Sequence, residues 1–572
     1  MDYTADFETT TDEEDCRVWA WAACEISEDA TVTMGTDMET FLAFCEDVEN
    51  CDMWFHNLAF DGEFIVNYLL NNGWEWVKEK PGARQFSTLI SNMGKYYQVQ
   101  VCFKRTKRQL NMVTFKDSLK KLTMSVEEVA RSFKLPISKL SIDYDAPRPV
   151  GHHLTDEEKH YLKNDVLIMS MALRQDFERG LTRLTTGADA LAWYQDGLGK
   201  KLWRRLFPEI PVAMDTEIRR AYKGGWTYAN PRFACSEDKP RRNIWMGSVY
   251  DKNSMYPSVM YSDALPVGLP TYFTGRYAKD PLYPLYIQFL TCSLKLKPDH
   301  LPTVQIKGNP YFSEHEYVID SDGMVDLALT NIDLDLLSEH YEVVVVSWDG
   351  GYKFQAMHGM FCDYIDHWMH IKETAEGGER LRAKLMLNSL YGKFATNPDV
   401  TGKVPYLKEG GQTGYRLGEE ETRAPVYTPM GAFITAYARR DIITNCQRIY
   451  SRFLYADTDS IHCLGQEPLN LDFVHPTKLG AWKHEADFDL ARYVRSKTYA
   501  ERVTHVGKMV DDEYTMVPVA PYIDVKACGC PKNLRSQINF GNFRTGLELW
   551  GKLRPIHVRG GIVLTPTTFS IK

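Results

Sequence analysis

The sequence predicts a multidomain α/β protein, and three observations support this prediction. The chain has 572 residues, which is enough for several domains. With 44% hydrophobic and 25% charged residues, it has the composition of an ordinary globular protein, which excludes a disordered chain and a fibrous repeat. Strand-like and helix-like segments alternate along the chain, and acidic residues lie at the ends of several of them.

Nothing in the sequence resembles an export or membrane segment. The longest purely aliphatic run is Val343–Val346, far shorter than the roughly 20 apolar residues of a membrane span. The N-terminal MDYTADFETT is acidic and lacks the basic-then-apolar pattern of a signal peptide. The twelve cysteines are scattered without a CxxC pair, which argues against a zinc module or a disulfide framework. We therefore expect a cytoplasmic protein without a membrane partner.

The net charge of −9 conceals an uneven distribution of charge. Residues 1–60 contain sixteen acidic residues and one basic residue, so the other 512 residues contain 60 acidic and 66 basic residues. Basic clusters lie at 104–108, 219–223, 239–242 and 532–535, and Tyr222, Trp226 and Tyr228 lie in or near the second of these. Basic clusters near aromatic side chains suit a nucleic-acid backbone with stacked bases, although a solvated surface would give the same pattern.

A first group of carboxylates begins at the N-terminus. Asp6 and Glu8 are two residues apart in a strand-like run, so both side chains point to one face of the strand. Asp61 opens a helix-like segment, and Tyr161 and Asp165 are spaced i, i+4 on a later helix. Such a group could hold two hard divalent cations that activate a water at a phosphodiester, with Tyr161 orienting the water. Asp61 taken alone could equally be a surface charge, whereas the combination of Asp6 and Glu8 with Tyr161 and Asp165 argues against that interpretation.

A second group of carboxylates lies in the C-terminal half. Asp251 ends the strand-like start of GSVYDKNSMYPSVM, which continues into a tight turn that carries Tyr256. In FLYADTDSIHC, Asp457 and Asp459 occupy a turn between two strand-like arms. Carboxylates on adjacent strand ends can hold two metal ions. This arrangement suits attack of a hydroxyl on an α-phosphorus with loss of pyrophosphate.

A cationic helix is predicted between these two carboxylate motifs. In RLRAKLMLNSLYGKFATN, Arg380, Lys384, Asn388 and Tyr391 follow one another at steps of four, four and three residues. This spacing places them on one helix face. Opposite the carboxylates, such a face could bind a triphosphate. Taken alone the helix is weak evidence, because amphipathic helices with lysine are common.

The order of the motifs resembles two known kinds of site. DFE, NxxFD and YxxxD resemble a DEDD-type 3′-to-5′ exonuclease, and DxxSxYPS, KxxxNSxYG and YxDTDS resemble a family-B DNA polymerase. More narrowly, the chain resembles the protein-primed replicative polymerases of phi29-like bacteriophages along nearly its whole length. The segments AYKGGWT, NPDVTGKVPYLKEGG and LPTVQIKGNPYF carry this narrower resemblance.

The resemblance implies an RNase H-like DEDD exonuclease domain followed by a right-hand polymerase with palm, fingers and thumb, and two terminal-protein-region insertions. The implied ranges are exonuclease 1–185, palm 186–262 and 428–531, terminal-protein regions 263–359 and 396–427, fingers 360–395, and thumb 532–572. Gly410-Gly411 independently predicts a turn in the second insertion. This insertion is expected to be a hairpin beside the fingers that closes a ring with the thumb and palm, giving processivity and strand displacement.

The resemblance also implies roles for individual residues. The exonuclease residues comprise metal ligands or their partners, a tyrosine and a lysine near the scissile phosphate: Asp6, Glu8, Asp61, Asp165, Tyr161 and Lys139. The residues that grip a single-stranded 3′ end are Thr9, His56, Asn57, Phe60, Ser118, Leu119 and Tyr144. The polymerase metal residues are Asp251, Asp459, the supporting Asp457 and the Lys252 carbonyl. The nucleotide residues are Tyr256, Lys372, Arg380, Lys384, Asn388 and Tyr391. The remaining DNA-binding residues are Tyr222, Gly224, Gly225, Lys497 and Tyr499.

The implied function is that of a DNA-directed DNA polymerase that replicates a linear phage genome from a protein primer. It would combine processive strand displacement with 3′-to-5′ proofreading, using two-metal sites for Mg²⁺, with Mn²⁺ as an alternative. The expected partners are primer-template and single-stranded DNA, dNTPs, a phage terminal protein and a single-stranded-DNA-binding protein. The chain would act as a monomer or a 1:1 heterodimer with the terminal protein, in the cytoplasm of the infected bacterial host.

Two other functions compete with this one. A nuclease with a vestigial polymerase half would have lost part of the second carboxylate group, whereas Asp251, Lys384, Asp457 and Asp459 are all present. A silent DNA-end scaffold that docks a priming protein would have lost carboxylates from both groups, and neither group lacks one.

Overall fold

The computed structural model describes residues 2–105, 110–144, 146–306, 317–511 and 513–572. The basic cluster at 104–108 and the segment LPTVQIKGNPYF therefore lie partly outside the described residues. Among the described residues, no helix is both long and apolar enough to cross a membrane.

The N-terminal part of the chain is built on a mixed sheet of eight described strands. The strands are β1 Tyr3–Thr9, β2 Val18–Glu25, β3 Val32–Gly35, β4 Asp52–Phe55, β5 Glu75–Trp76, β6 Gln85–Ile90, β7 Tyr96–Arg105 and β8 Leu110–Asp117. Their order is β3-β2-β1-β4-β8-β7-β6-β5. The helices are α1 Met38–Val48, α2 Leu58–Asn71, α3 Val126–Ser132 and α4 Asp156–Phe177, with a 3-10 turn at Ser118–Lys120. A capping box between Thr155 and Glu158 fixes the start of α4.

Helices cover both faces of this sheet, which explains why β2 is buried along nearly its whole length. On β1, Tyr3, Ala5 and Phe7 pack into the core shared with α1 and α2. Thr4 faces the other way and donates a hydrogen bond to the Val166 carbonyl of α4 at 2.8 Å. Because side chains alternate along a strand, the acidic residues two and four positions after Thr4 share its face and point toward α4.

The next part of the chain leads into a second sheet. Its elements are α5 Thr186–Leu198, α6 Lys200–Leu206, α7 Val212–Arg219, β9 Thr227–Ala229, β10 Ile244–Lys252 and α8 Met255–Ser262. Residues 265–357 then form β11 Leu265–Phe273, β12 Leu285–Leu296, β13 Val325–Thr330, α9 Asn331–His340 and β14 Tyr341–Met357. In this smaller sheet the described strands follow the order β11-β14-β12-β13.

Two helices and a hairpin follow the smaller sheet, and the chain then returns to the second sheet. These elements are α10 Cys362–Thr374, α11 Gly377–Phe394, β15 Asp399–Leu407 and β16 Thr413–Thr422. The chain returns through α12 Thr428–Arg448, β17 Phe453–Asp457, β18 Ser460–Leu464, β19 Trp482–Arg495, β20 Thr498–Val510 and β21 Glu513–Ala527. It ends with α13 Lys532–Arg535 and a hairpin of β22 Glu548–Val558 and β23 Gly561–Ser570.

The second sheet joins segments that are far apart in the sequence. In the described residues its antiparallel order is β21-β20-β19-β10-β18-β17-β9. β10 therefore lies beside β18, with Asp251 opposite Ser460. The helix α12 is buried along most of its length against this sheet and the neighbouring helices. The turn between β17 and β18 and the end of β10 consequently lie at one edge of a rigid sheet.

Candidate active sites

Three carboxylates of the first predicted group lie together in the structure. Asp6 and Glu8 lie on the α4-facing side of β1, and Asp165 comes from α4 itself. One carboxylate oxygen from each of the three lies within 4.8 Å of the others. Asp61, in the first turn of α2, is buried and accepts a hydrogen bond from the Phe7 amide at 3.2 Å. It lies beside the group of three without belonging to it.

The electrostatics of this group favour a bound cation. Burial, together with the charge of Asp165, raises the pKa of Asp6 to about 7. Burial and the charges of Asp6 and Asp165 raise the pKa of Glu8 to about 8. The Oδ1 atom of Asp165 is buried without a hydrogen-bond partner among the described residues. Mutually repelling carboxylates with an unused buried oxygen are the donor set that a hard divalent cation satisfies. Asp6, Glu8 and Asp165 therefore fit such an ion.

A lysine and two tyrosines border the group. The Lys139 ammonium lies 2.6 Å from Asp165 Oδ2. Burial acts to lower the pKa of Lys139, but the charges of Asp165 and Asp6 outweigh it and raise the value. The Tyr161 hydroxyl is 2.9 Å from that of Tyr144, which is 51% exposed. This pair connects the buried carboxylates with the surface of the cleft.

The residues predicted to grip a single-stranded end fall into two groups. Thr9, Asn57, Phe60, Leu119 and Tyr144 are at least partly exposed. Ser118 is fully buried, and its hydroxyl donates to the Phe55 carbonyl at 3.0 Å and contacts His56 Nδ1 at 3.0 Å. Ser118 thus holds the His56 ring rather than presenting its own side chain to a ligand.

The second carboxylate group lies at the edge of the second sheet. Asp251 is the last residue but one of β10, and Asp459 occupies the β17–β18 turn, where Thr458 has a φ of 63°. The Lys252 amide donates to the Asp459 carbonyl at 2.7 Å, and the Lys252 ammonium pairs with Asp441. These contacts hold the turn against the end of β10. The positions of the Asp251 and Asp459 carboxylates relative to each other are therefore fixed.

A cavity of about 1240 Å³ opens in front of these carboxylates. One side of it is formed by a single face of α11, as the sequence predicts. The predicted nucleotide residues all line it: Tyr256, Lys372, Arg380, Lys384, Asn388 and Tyr391. Lys372 donates to Ser254 Oγ at 2.8 Å, and Arg380 donates to the Lys372 carbonyl at 2.7 Å. Burial, followed by the charges of Lys384 and Arg380, lowers the pKa of Lys372. Cations that repel one another in this way form a site for a polyanion.

Opposite this cationic face the carboxylates repel one another. Burial and the charge of Asp459 raise the pKa of Asp251 to about 7, and Glu485 adds to the effect. Burial also raises the pKa of Asp459. The chemistry of this donor set suits divalent cations, which would remove the repulsion. Asp251 and Asp459 would hold them.

Tyr256 and Tyr391 meet on the floor of the cavity. Their rings are stacked with centroids 3.9 Å apart. Each tyrosine is also packed against the core below. The pair therefore forms a rigid aromatic surface next to the carboxylates.

A second cavity of about 830 Å³ lies on the other side of Asp459. Asp457, predicted to support the metals, accepts from Thr227 Oγ1 at 2.9 Å and pairs with Lys497 at 2.7 Å. Lys497 thus lines this cavity beside the carboxylates. Tyr499 is only 8% exposed, and its ring packs on Tyr455 at 4.9 Å. Only a small part of the Tyr499 ring is therefore accessible to a ligand.

The aromatic and glycine positions near residue 225 differ from one another in burial. Trp226 and Tyr228 are buried in the core of the second sheet, so their rings are not available to stack on bases. Gly225 packs on the β17–β18 turn, where an added Cβ would lie 2.7 Å from Thr458 Oγ1. Gly225 therefore allows the turn to approach closely. Gly224 is exposed, and Tyr222 lines a separate cavity of about 650 Å³.

Sequence reasoning missed the contribution of β19 to the second site. Lys483 and Glu485 line the large cavity, and Glu485 also lines the smaller one. The charge alternation Lys-His-Glu at the start of a strand-like segment was the available signal. Its significance depends on the pairing of β19 with β10, which no local pattern predicts.

Comparisons with known proteins agree with this geometry. A family model described as DNA polymerase type B, organellar and viral, matches residues 47–151 and 87–471. The DNA polymerases of Bacillus phages B103 and phi29 are each 45% identical over 580 residues, covering 100% of this chain and 99% of the relative. The DNA polymerase of Streptococcus phage Cp-1 is 32% identical over 593 residues, covering 100% of this chain and 98% of the relative.

Solved structures match over the same extent. The phi29 DNA polymerase complexed with primer-template DNA and incoming nucleotide substrates has a TM-score of 0.93 at 44% identity, covering 100% of both chains. The same polymerase complexed with single-stranded DNA has a TM-score of 0.92 at 43% identity, again covering 100% of both chains. The multidomain α/β architecture predicted from the sequence is thereby confirmed.

Proposed function

The chain belongs to the phi29-like type B DNA polymerases, and from this premise we propose that it copies a linear phage genome from a protein primer with two separate active sites. Membership of the family implies a dependence on divalent metal ions. Relatives bound to primer-template DNA, single-stranded DNA and nucleotides support the same ligands here. The observation that carries the proposal is the cationic face of α11 opposite Asp251 and Asp459 across one cavity.

In the proposed polymerisation site, the chain's residues position a triphosphate and a primer end on opposite sides of Asp459. Arg380, Lys384 and Lys372 bind the triphosphate, and Lys497 holds the primer strand in the adjoining cavity. Mg²⁺ held by Asp251 and Asp459, with the Lys252 carbonyl as a further contact, would lower the pKa of the attacking hydroxyl and neutralise phosphate charge. The new bond joins the primer oxygen to the α-phosphorus, and pyrophosphate leaves toward the cationic helix.

In the proposed exonuclease site, Asp6, Glu8 and Asp165 hold the metals and Asp61 supports Asp6. Tyr161 orients the attacking water, and Lys139 lies near the scissile phosphate. Thr9, Asn57, Phe60, Leu119 and Tyr144 contact the single-stranded 3′ end, whereas His56 is held for that contact by Ser118. The separation of this site from the polymerisation site supports proofreading by transfer of the primer end.

The domain roles follow the ranges implied by the family. We assign the exonuclease to 1–185, palm to 186–262 and 428–531, fingers to 360–395, and thumb to 532–572. The inserted segments 263–359 and 396–427 are the terminal-protein regions. Tyr222 and Gly224, in the segment before β9, contact the DNA. The partners are a phage terminal protein and a single-stranded-DNA-binding protein, and the enzyme acts in the cytoplasm of the infected bacterial host.

Extension of a short labelled hairpin primer with Mg²⁺ and dNTPs tests the polymerase assignment. We expect longer products with dNTPs and shorter ones without them. A nuclease with an inactive polymerase half would shorten the hairpin under both conditions, and a silent scaffold would leave it unchanged. Either of these results would contradict the proposal.

We expect Tyr256 to enforce the choice of sugar. Its ring, stacked on Tyr391, would lie beneath the deoxyribose and leave no room for a 2′-hydroxyl. Tyr256→Val should therefore raise ribonucleotide incorporation relative to deoxynucleotide incorporation by about tenfold or more. Single-nucleotide incorporation kinetics measure this ratio. Tyr261→Val, on the same helix but at the surface, is the matched control, and an unchanged ratio for Tyr256→Val would rule out the role.

A further inference from the structure

The sequence predicted that the hairpin of β15 and β16 closes a ring with the thumb and palm. In the described residues the hairpin contacts the N-terminal domain and the C-terminal hairpin, which lies in the range proposed for the thumb. Gln412 near its tip forms a β-bridge with Arg559 of the C-terminal hairpin, and Ser91 bridges Gly402. Lys78 pairs with Glu421 at 2.8 Å. The exonuclease domain is therefore a member of the ring.

The Asn67 side chain of α2 contacts both hairpins at their junction, as does Glu63 through Tyr415 and His557. The amide Nδ2 of Asn67 donates to the Gly411 carbonyl at 2.9 Å and to Thr413 Oγ1 at 3.0 Å. Its Oδ1 accepts from the Gly560 amide at 2.9 Å. Asn67 is 2% exposed and Thr413 is 1% exposed. The side-chain amide of Asn67 thus links the two hairpins: its NH₂ group donates to the first, and its oxygen accepts from the second.

Around Asn67, side chains of both hairpins pack closely against the N-terminal domain. Val558, Ile562 and Val563 of the C-terminal hairpin are buried in the core of the N-terminal domain. A Cβ added at Gly560 would lie 1.8 Å from the Cys16 carbonyl oxygen, so only glycine allows this approach. The Tyr415 hydroxyl of the first hairpin donates to Glu63 Oε2 of α2 at 2.8 Å.

We propose that α2 is the clasp of a DNA-encircling ring, with Asn67 as the positioning residue that fastens the two hairpins together. This inference rests on the proposed function, because it supposes that the enzyme travels along DNA. The same helix carries Asp61 in its first turn, so one element serves proofreading at its start and ring closure two turns later. Loss of the clasp opens the ring without altering either active site.

Asn67→Asp tests the clasp with little change of shape. The substitution removes both hydrogen bonds that Asn67 donates to the first hairpin and keeps an oxygen for Gly560. The Asn71 amide still donates to the Gly411 carbonyl at 3.0 Å. Asn72→Asp is the matched control, since Asn72 caps the same helix through the Tyr68 carbonyl at 2.8 Å. Among the described residues, Asn72 forms no hydrogen bond with either hairpin. The assay extends a primer on a long linear template with excess trap DNA, so that each product reports one binding event.

We expect Asn67→Asp to shorten the product per binding event about tenfold, because buried hydrogen bonds at the junction are lost. Single-nucleotide incorporation and degradation of a single-stranded oligonucleotide should stay within about twofold of the natural chain, and Asn72→Asp should behave like that chain. If Asn67→Asp does not fold, Thr413→Val takes its place, because it removes the hydrogen bond between Asn67 and Thr413 from the hairpin side.

A disulfide that restores the junction between the hairpins distinguishes a role of Asn67 in ring closure from a general role in protein stability. Gln412 and Arg559, paired in a β-bridge, are close enough for a disulfide when both are replaced by cysteine. In the Asn67→Asp background, oxidation after loading on DNA should restore long products, and reduction should shorten them again. Long products from Asn67→Asp itself, or failure of the cross-link to restore them, would overturn the clasp. Loss of single-nucleotide incorporation in the natural chain would instead count against the polymerase assignment.

Discussion

Asp459→Asn should abolish primer extension and leave 3′-to-5′ degradation intact. Asp459 lies with Asp251 at the edge of a rigid sheet, where burial raises the pKa of both carboxyl groups. The surroundings of each carboxylate therefore suit a bound cation better than contact with solvent. Removing one ligand of a two-metal site should lower the rate of incorporation by about three orders of magnitude or more.

Single-turnover incorporation on a hairpin primer measures this loss, with degradation of a single-stranded oligonucleotide as the internal reference. Asp489→Asn is the matched control, since Asp489 lies on β19 of the same sheet and pairs with Arg502 at the surface. Incorporation by Asp459→Asn within about tenfold of the natural chain would show that the metals are held elsewhere.

The complementary variant, Asp6→Ala with Asp61→Ala, should lose exonuclease activity by several orders of magnitude and keep primer extension. Asp6 belongs to the group of three carboxylates, and Asp61 supports it through the Phe7 amide of the same strand. Neither residue lines the polymerisation cavities. Release of labelled nucleotide from a single-stranded oligonucleotide measures the first activity, and hairpin extension the second.

Glu13→Ala with Asp47→Ala removes two exposed acids from the same acidic segment and should change neither activity. If the Asp6 and Asp61 variant stopped polymerising as completely as it stopped degrading, the assignment of two separate sites would be wrong.

Local periodicity accounts for the parts of the sites that the sequence predicted. The alternation of side chains along β1 places Asp6 and Glu8 on one face of that strand. The i, i+4 spacing places Tyr161 and Asp165 on one face of α4. The same reasoning placed Arg380 and Lys384 on one face of α11, lining the cavity. In each case a short stretch of backbone fixes the direction of the side chains.

Contacts between separately folded parts of the chain could not be predicted in this way. Asn67 bonds to residues 344 and 493 positions further along the chain, and no periodic pattern relates such distant segments. The burial of individual side chains explains the other differences between the sequence analysis and the structure. Trp226, Tyr228 and Ser118 are residue types found both at DNA-contacting surfaces and in cores, and the packing of the sheets decides between the two.

In the proposed function, one carboxylate pair, Asp251 and Asp459, extends both DNA and protein primers. We propose that the inserted segments 263–359 and 396–427 flank the path of the primer, where a terminal protein would present a side-chain hydroxyl to Asp251 and Asp459. Its docking on basic residues should weaken with salt.

The direct measurement incubates the purified chain with its cognate terminal protein, Mg²⁺ and one labelled deoxynucleotide, without any primer. We expect a covalent adduct of terminal protein and nucleotide that forms with the natural chain and not with Asp459→Asn. If no adduct forms with the correct partner while DNA primers are still extended, the enzyme is a DNA-primed polymerase and the claim is contradicted.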